Sequence, residues 1–120
     1  MPSTTRIPRP LEHWVADAGN GDVAHLDIPA DASGDRLFEV SCTFVVSHRG
    51  GDEAFHGLRV LVDGRQQWSR EVPTHAGGQD SLDVSFRRSV PVGVPLRISA
   101  IGSVRGAVRI RLNITAEEQD

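Results

Sequence analysis

The chain is expected to fold as an all-β domain, an antiparallel β-sandwich of about eight strands wound as a jelly roll. Three observations point there. Apolar residues recur at every second position in short runs, which places one face of each run on a core and the other in water. Clusters of Gly, Asp, Asn and Pro separate those runs at the spacing of turns between short strands. No stretch repeats its apolar residues at helical spacing over a normal helix length.

In chain order, Glu12–Ala16 is a candidate first strand, and Ala24, Leu26 and Ile28 alternate in a short second one that stops at Pro29. The clearest strand is Arg36–Ser47. Phe38, Val40, Cys42, Phe44 and Val46 share one face; Glu39, Ser41, Thr43, Val45 and Ser47 share the other. Leu58, Val60 and Val62 alternate next. The step Val62-Asp63-Gly64-Arg65 then signals a tight turn, because glycine takes positive φ without steric cost. This predicts a hairpin over 57–72 with a three-residue loop at 63–65, setting Val60 opposite Trp68. Leu82, Val84 and Phe86 form the next run, and Leu96, Ile98 and Ala100 the one after. Val108, Ile110, Leu112 and Ile114 form the last. Gly102 and Gly106 suggest that these final two runs pair as a hairpin over 95–115. The predicted core is Phe38, Val40, Cys42, Phe44, Val46, Val60, Val84, Phe86, Ile98, Ile110 and Leu112.

With 120 residues, of which 38% are hydrophobic and 24% charged, the chain has one domain's worth of material and enough to bury one core. The expected division is an extended Pro- and Arg-containing arm over 1–10, a single sandwich over 11–116 and an acidic tail over 117–120. One cysteine excludes an intrachain disulfide framework and a multi-cysteine zinc site. No apolar run is long enough for a transmembrane helix, and the first residues carry no apolar signal segment. A cytoplasmic location is therefore expected, with unconventional export left open. All 13 basic residues are arginine, and the net charge of −3 matches the three acids Glu117, Glu118 and Asp120. A pI near 5.9 argues against a nucleic-acid-binding domain.

Four groups of residues carry candidate chemistry. The loop from Ser47 to Gly57 holds His48, Asp52, Glu53 and His56. With His75 from the 73–78 loop, His48, Asp52 and His56 form a candidate divalent-metal site, since imidazole and carboxylate suit zinc and similar ions. A solvated loop is the alternative, and no cofactor is otherwise expected. Second, Arg97, Arg109 and Arg111 share the outward face of the predicted 95–115 hairpin, with Arg97 opposite Arg111. Like charges facing each other in a sheet need compensation, from a neighbouring carboxylate, an anionic ligand or a second subunit. Third, Trp14 and Phe55 are the aromatics free of core parity, hence the candidate stacking platforms. Fourth, the acidic strings Asp17–Asp22 and Asp31–Asp35 offer oxygen ligands at alternate positions, but they read better as turns. Cys42 has core parity and reads as an inert buried thiol. No nucleophile elbow, P-loop or dinucleotide fingerprint is present.

The stretch Leu58-Arg59-Val60-Leu61-Val62-Asp63-Gly64, followed by Trp68, Leu82-Asp83-Val84-Ser85-Phe86 and Val92-Gly93-Val94-Pro95-Leu96-Arg97-Ile98, resembles jelly-roll carbohydrate-binding modules of the galactose-binding-like type. The resemblance spans roughly residues 36–115 and implies a jelly-roll sandwich that binds a sugar. No ligand-binding signature of those modules is matched, so it assigns no sugar-binding residue. The expected function is a non-enzymatic binding module for a carbohydrate or small anionic ligand, acting as a homo-oligomer without membrane or nucleic-acid partners. The alternatives are a structural assembly subunit that uses its N-terminal arm, and a small enzyme built on His48, His56 or His75 with a carboxylate or metal.

Overall fold

The computed structural model describes residues 9–120. It contains eight strands: β1 His13–Asp17, β2 Val23–Ile28, β3 Arg36–His48, β4 Phe55–Val62, β5 Arg65–Pro73, β6 Gln79–Val90, β7 Leu96–Arg105 and β8 Ala107–Glu118. They form two antiparallel four-stranded sheets, β1-β8-β3-β6 and β2-β7-β4-β5. Every connection except the β4–β5 hairpin crosses from one sheet to the other, which wraps the chain as a jelly roll. Among the described residues there is no helix, and so none long and apolar enough to cross a membrane. The arm expected over 1–10 lies outside the described residues except for Arg9 and Pro10.

The core forms where the alternation places it. Phe38, Val40, Cys42, Phe44 and Val46 of β3 are fully buried, and Val60, Ile98 and Leu112 join them from β4, β7 and β8. Val84 and Phe86 on the edge strand β6 are only half-buried, because no strand among the described residues covers their outer side. Burial pushes the Cys42 thiol up to about 12, as expected for an inert thiol in an apolar environment.

Two predicted registers change. In the β4–β5 hairpin the loop is two residues, Asp63-Gly64, with Val62 opposite Arg65. Both loop residues have positive φ, +50° and +82°, the requirement of the tight turn that matches strand twist. A bulge at Gln67 then adds one residue, so Val60 still faces Trp68.

The larger change concerns the C-terminal strands. β7 and β8 do not pair; they lie in opposite sheets, and the chain crosses between them at Gly106. A bulge also interrupts β8: Val45 faces Arg111 and Val46 faces Arg109, leaving Ile110 unpaired. The bulge reverses the alternation N-terminal to it. Ile110 is therefore 40% exposed instead of buried, while Arg109 takes an inward-leaning position opposite the buried Val46. The strand also runs past residue 116. Glu117 and Glu118 belong to β8, and Glu118 is buried.

Candidate functional site

The outer face of the β2-β7-β4-β5 sheet carries a notch of about 160 Å³ lined chiefly by Phe55, Gly57, Glu71, Ser103 and Arg105. Its floor is Gly57 in β4, which pairs with Ser103 of β7 on one side and Glu71 of β5 on the other. The missing side chain makes the space. A Cβ there would stand 2.8 Å from Ser103 Oγ and 3.4 Å from the Arg70 carbonyl oxygen. Two residues back along β4, Phe55 pairs with Arg105, whose guanidinium lies 4.6 Å from the centre of the Phe55 ring. Arg105 Nη2 is also 3.7 Å from Glu71 Oε1. Both charged side chains are largely exposed, so this pair is weak and free to exchange its partner for a ligand. The notch thus brings together an aromatic ring, a guanidinium fork, a carboxylate and a hydroxyl within one small concavity.

Of the sequence-predicted site residues, Phe55 lines this notch and His56 adjoins it between Phe55 and Gly57. Trp14 is half-buried against the core, and its Nε1 donates to Glu12 Oε1 at 2.9 Å, so it is not an exposed platform. The arginine stripe is dispersed by the separation of β7 from β8. Arg97 faces Asp27 across β2–β7, with Nε 3.5 Å from Oδ1. Arg111, on the other sheet, has Nη2 3.7 Å from Asp17 Oδ2. Neighbouring carboxylates thus answer the charges of Arg97 and Arg111. Arg109 is half-buried, and its Nε has no hydrogen-bond partner among the described residues.

The four candidate metal ligands are not gathered either. His56 has the inward parity of Leu58 and is 1% exposed; its Nδ1 is 2.8 Å from Thr74 Oγ1 and its ring meets Phe44 edge-on at 6.4 Å. His48 Nδ1 accepts from Gly50 N at 2.8 Å, and the backbone N–H of His75 donates to Asp80 Oδ2 at 2.9 Å. Asp52 is exposed on the 49–54 loop. Among the described residues no three His, Cys, Asp or Glu side chains stand close enough to hold a metal ion. The acidic strings are turns: Asp17 Oδ1 accepts from Gly19 N, and Asp31 Oδ1 accepts from both Ser33 N and Ser33 Oγ.

Burial lowers the His56 pKa from its ordinary 6.5, against an opposing pull from Asp80. The folded chain therefore keeps His56 neutral where the unfolded chain takes up a proton. Its contribution to stability is intact above pH 6.5 and is lost as pH falls from there towards the lower folded value. Thermal melts from about pH 7.5 down to about pH 5.5, a window that spans the ordinary histidine range, should show a drop in Tm that a His56→Leu variant shows less steeply. Equal slopes in the two chains would assign the linked proton elsewhere.

A polar network that the alternation pattern does not reveal closes the other end of the sandwich. Arg36 has the parity of Phe38 and is buried; its Nη1 donates to both oxygens of Glu12 at 2.8 and 3.1 Å, and its Nη2 donates to the Pro29 carbonyl at 2.8 Å. Arg9 donates to Glu12 and, through both terminal nitrogens, to the buried Glu118. The signal in the sequence is an arginine placed in register with the apolar face of β3.

No family model and no curated protein matches the sequence. Among solved structures the chain is similar to dimeric latent PorU from Porphyromonas gingivalis, at 14% identity and a TM-score of 0.52. That match covers 92% of this chain and 13% of PorU, so the chain spans a small part of that protein's length. At this identity the likeness concerns the fold alone. Fold and notch together define the class, an eight-stranded jelly-roll sandwich domain with a polar–aromatic concavity on one sheet.

Proposed function

We propose that this chain is a non-enzymatic binding module that takes a carbohydrate in the notch above Gly57. The observation that carries the reading is the convergence of Phe55, Glu71, Ser103 and Arg105 around a glycine floor. Sugars present hydroxyl groups that both donate and accept, along with apolar C–H faces. Glu71 supplies an acceptor, Arg105 a fork of donors, Ser103 a hydroxyl that does either, and Phe55 an apolar surface. The volume equals roughly five waters in the liquid, the scale of one sugar ring rather than a chain. Gly57 would admit the ring closely, a common use of glycine within a strand. The jelly-roll wrapping agrees with the resemblance to galactose-binding-like modules.

The test is a glycan array with the whole chain, followed by titration calorimetry of the best-bound sugar. Arg105→Ala should weaken binding at least about tenfold, the loss of one charge-assisted contact, with the melting temperature unchanged. Gly57→Val should abolish binding by filling the notch. An array without hits, or undiminished binding by both variants, would refute the assignment.

A further inference from the structure

Edge strands with free backbone groups are templates for another strand, and proteins usually protect them by shortness, bulges, proline or charged side chains. Three of the four edges here use one or more of the first three. β1 has five residues, β2 has six and ends before Pro29, and β5 carries the bulge at Gln67 and ends in Pro73. The fourth has none of the first three and carries charges alone, Asp80, Asp83, Arg87 and Arg88. β6 runs for 12 residues without glycine or proline, pairs with β3 in an unbroken register, and has no strand on its other side among the described residues. Val84 and Phe86 sit half-buried along this open edge.

The charges along β6 are arranged about its middle. Asp80 and Asp83 occupy the first half, and Arg87 and Arg88 the second. A strand with this order is complementary to a reversed copy of itself. We propose that β6 is a self-association edge. Two copies of the chain pair their β6 strands antiparallel about a twofold axis midway between their Ser85 residues, joining two four-stranded sheets into one of eight. Opposed residues in such a pair share a face and a hydrogen-bonding sense, so one residue lies opposite its own copy, with the axis midway between them. With Ser85 opposite its own copy, Asp83 lies opposite the partner's Arg87 and Val84 opposite the partner's Phe86, and symmetry makes each pairing twice. Asp83 already accepts a hydrogen bond from Ser81 Oγ at 2.9 Å on the outer face. Arg87 Nε donates to Glu39 at 3.0 Å, which leaves its terminal nitrogens for the partner. The occupant is therefore a second copy, since the edge carries both halves of the charge pattern. The interface lies on the opposite sheet from the notch and does not depend on sugar binding.

A single edge is a small interface, so the dimer should form with rising concentration in the micromolar range. Sedimentation velocity of the wild-type chain should show the mass doubling. Asp83→Arg, which sets two arginines against each other at both symmetry-related positions, should remain monomeric across the same range while melting as the wild type does. Adding Arg87→Asp to it restores opposite charges at both positions and should restore the dimer. A wild-type chain that stays monomeric to submillimolar concentration, or an Asp83→Arg variant that dimerises as well as the wild type, overturns the proposal. A double variant that folds but stays monomeric overturns the register.

Discussion

Truncation of Phe44 to alanine is expected to cost about 3–5 kcal/mol, the range for a fully buried phenylalanine. Phe44 is inaccessible to solvent at the centre of β3, between Leu82 of β6 and Leu112 of β8. Its ring reaches across to the other sheet, where Gly102 of β7 leaves room for it; a Cβ on Gly102 would stand 2.7 Å from the ring. His56 closes one side. The cavity left by truncation would thus be walled by both sheets, whose backbones are held by their own ladders and cannot collapse into it. Against a total stability of about 5–15 kcal/mol, the loss is a large share. Urea unfolding should show the midpoint falling while the slope stays constant. A change below about 1 kcal/mol would mean that Phe44 does not sit at the junction of the sheets.

The second large effect is expected at Glu12. Its carboxylate takes two hydrogen bonds from Arg36, one from Arg9 and one from the Trp14 indole. The Arg36 side chain is 1% exposed, and the Pro29 carbonyl is its other acceptor. Glu12→Ala would strand a buried guanidinium, which costs about 3–5 kcal/mol in a fully buried pair. Glu12 itself retains 20% exposure, so the lower end, about 3 kcal/mol, is expected. Arg36→Met removes the charge instead of stranding it and should be much milder. Chemical denaturation of the two variants decides the matter: if Glu12→Ala is as stable as Arg36→Met, the Arg36 guanidinium does not depend on Glu12.

The strands and the inner face of the sandwich were legible because burial on one side forces period two, and β3 states that pattern over a dozen residues. The β8 bulge was not legible. Val108, Ile110, Leu112 and Ile114 alternate without a break, and the extra residue shows only when β8 is laid against β3. The glycines misled in a related way. Gly102 and Gly106 look like the flanks of one turn, yet Gly102 is a mid-strand residue that makes room for Phe44, and only Gly106 marks a crossing. The predicted arginine stripe depended on that hairpin and dispersed with it. Phe55 was recognisable as an aromatic outside the core pattern. Its companions Glu71, Ser103 and Arg105 come from β5 and β7, and their meeting over Gly57 depends on strand order, which local alternation does not encode. His56 could have been placed correctly, since it shares the parity of Leu58 and Val60.

The joined ends of the fold have an architectural consequence. β1 and β8 are antiparallel neighbours, with His13 opposite Glu117, and the Arg9–Glu118 bidentate pair fastens the entering and leaving chain together. Any polypeptide attached before β1 departs from the same corner as any attached after β8. Joined to a host chain, such a module would hang like a pendant on a single cord. It could be spliced into a surface loop of a scaffold without prising that loop apart, and a short bridge between its ends would allow new ends to be cut at the Asp63-Gly64 turn.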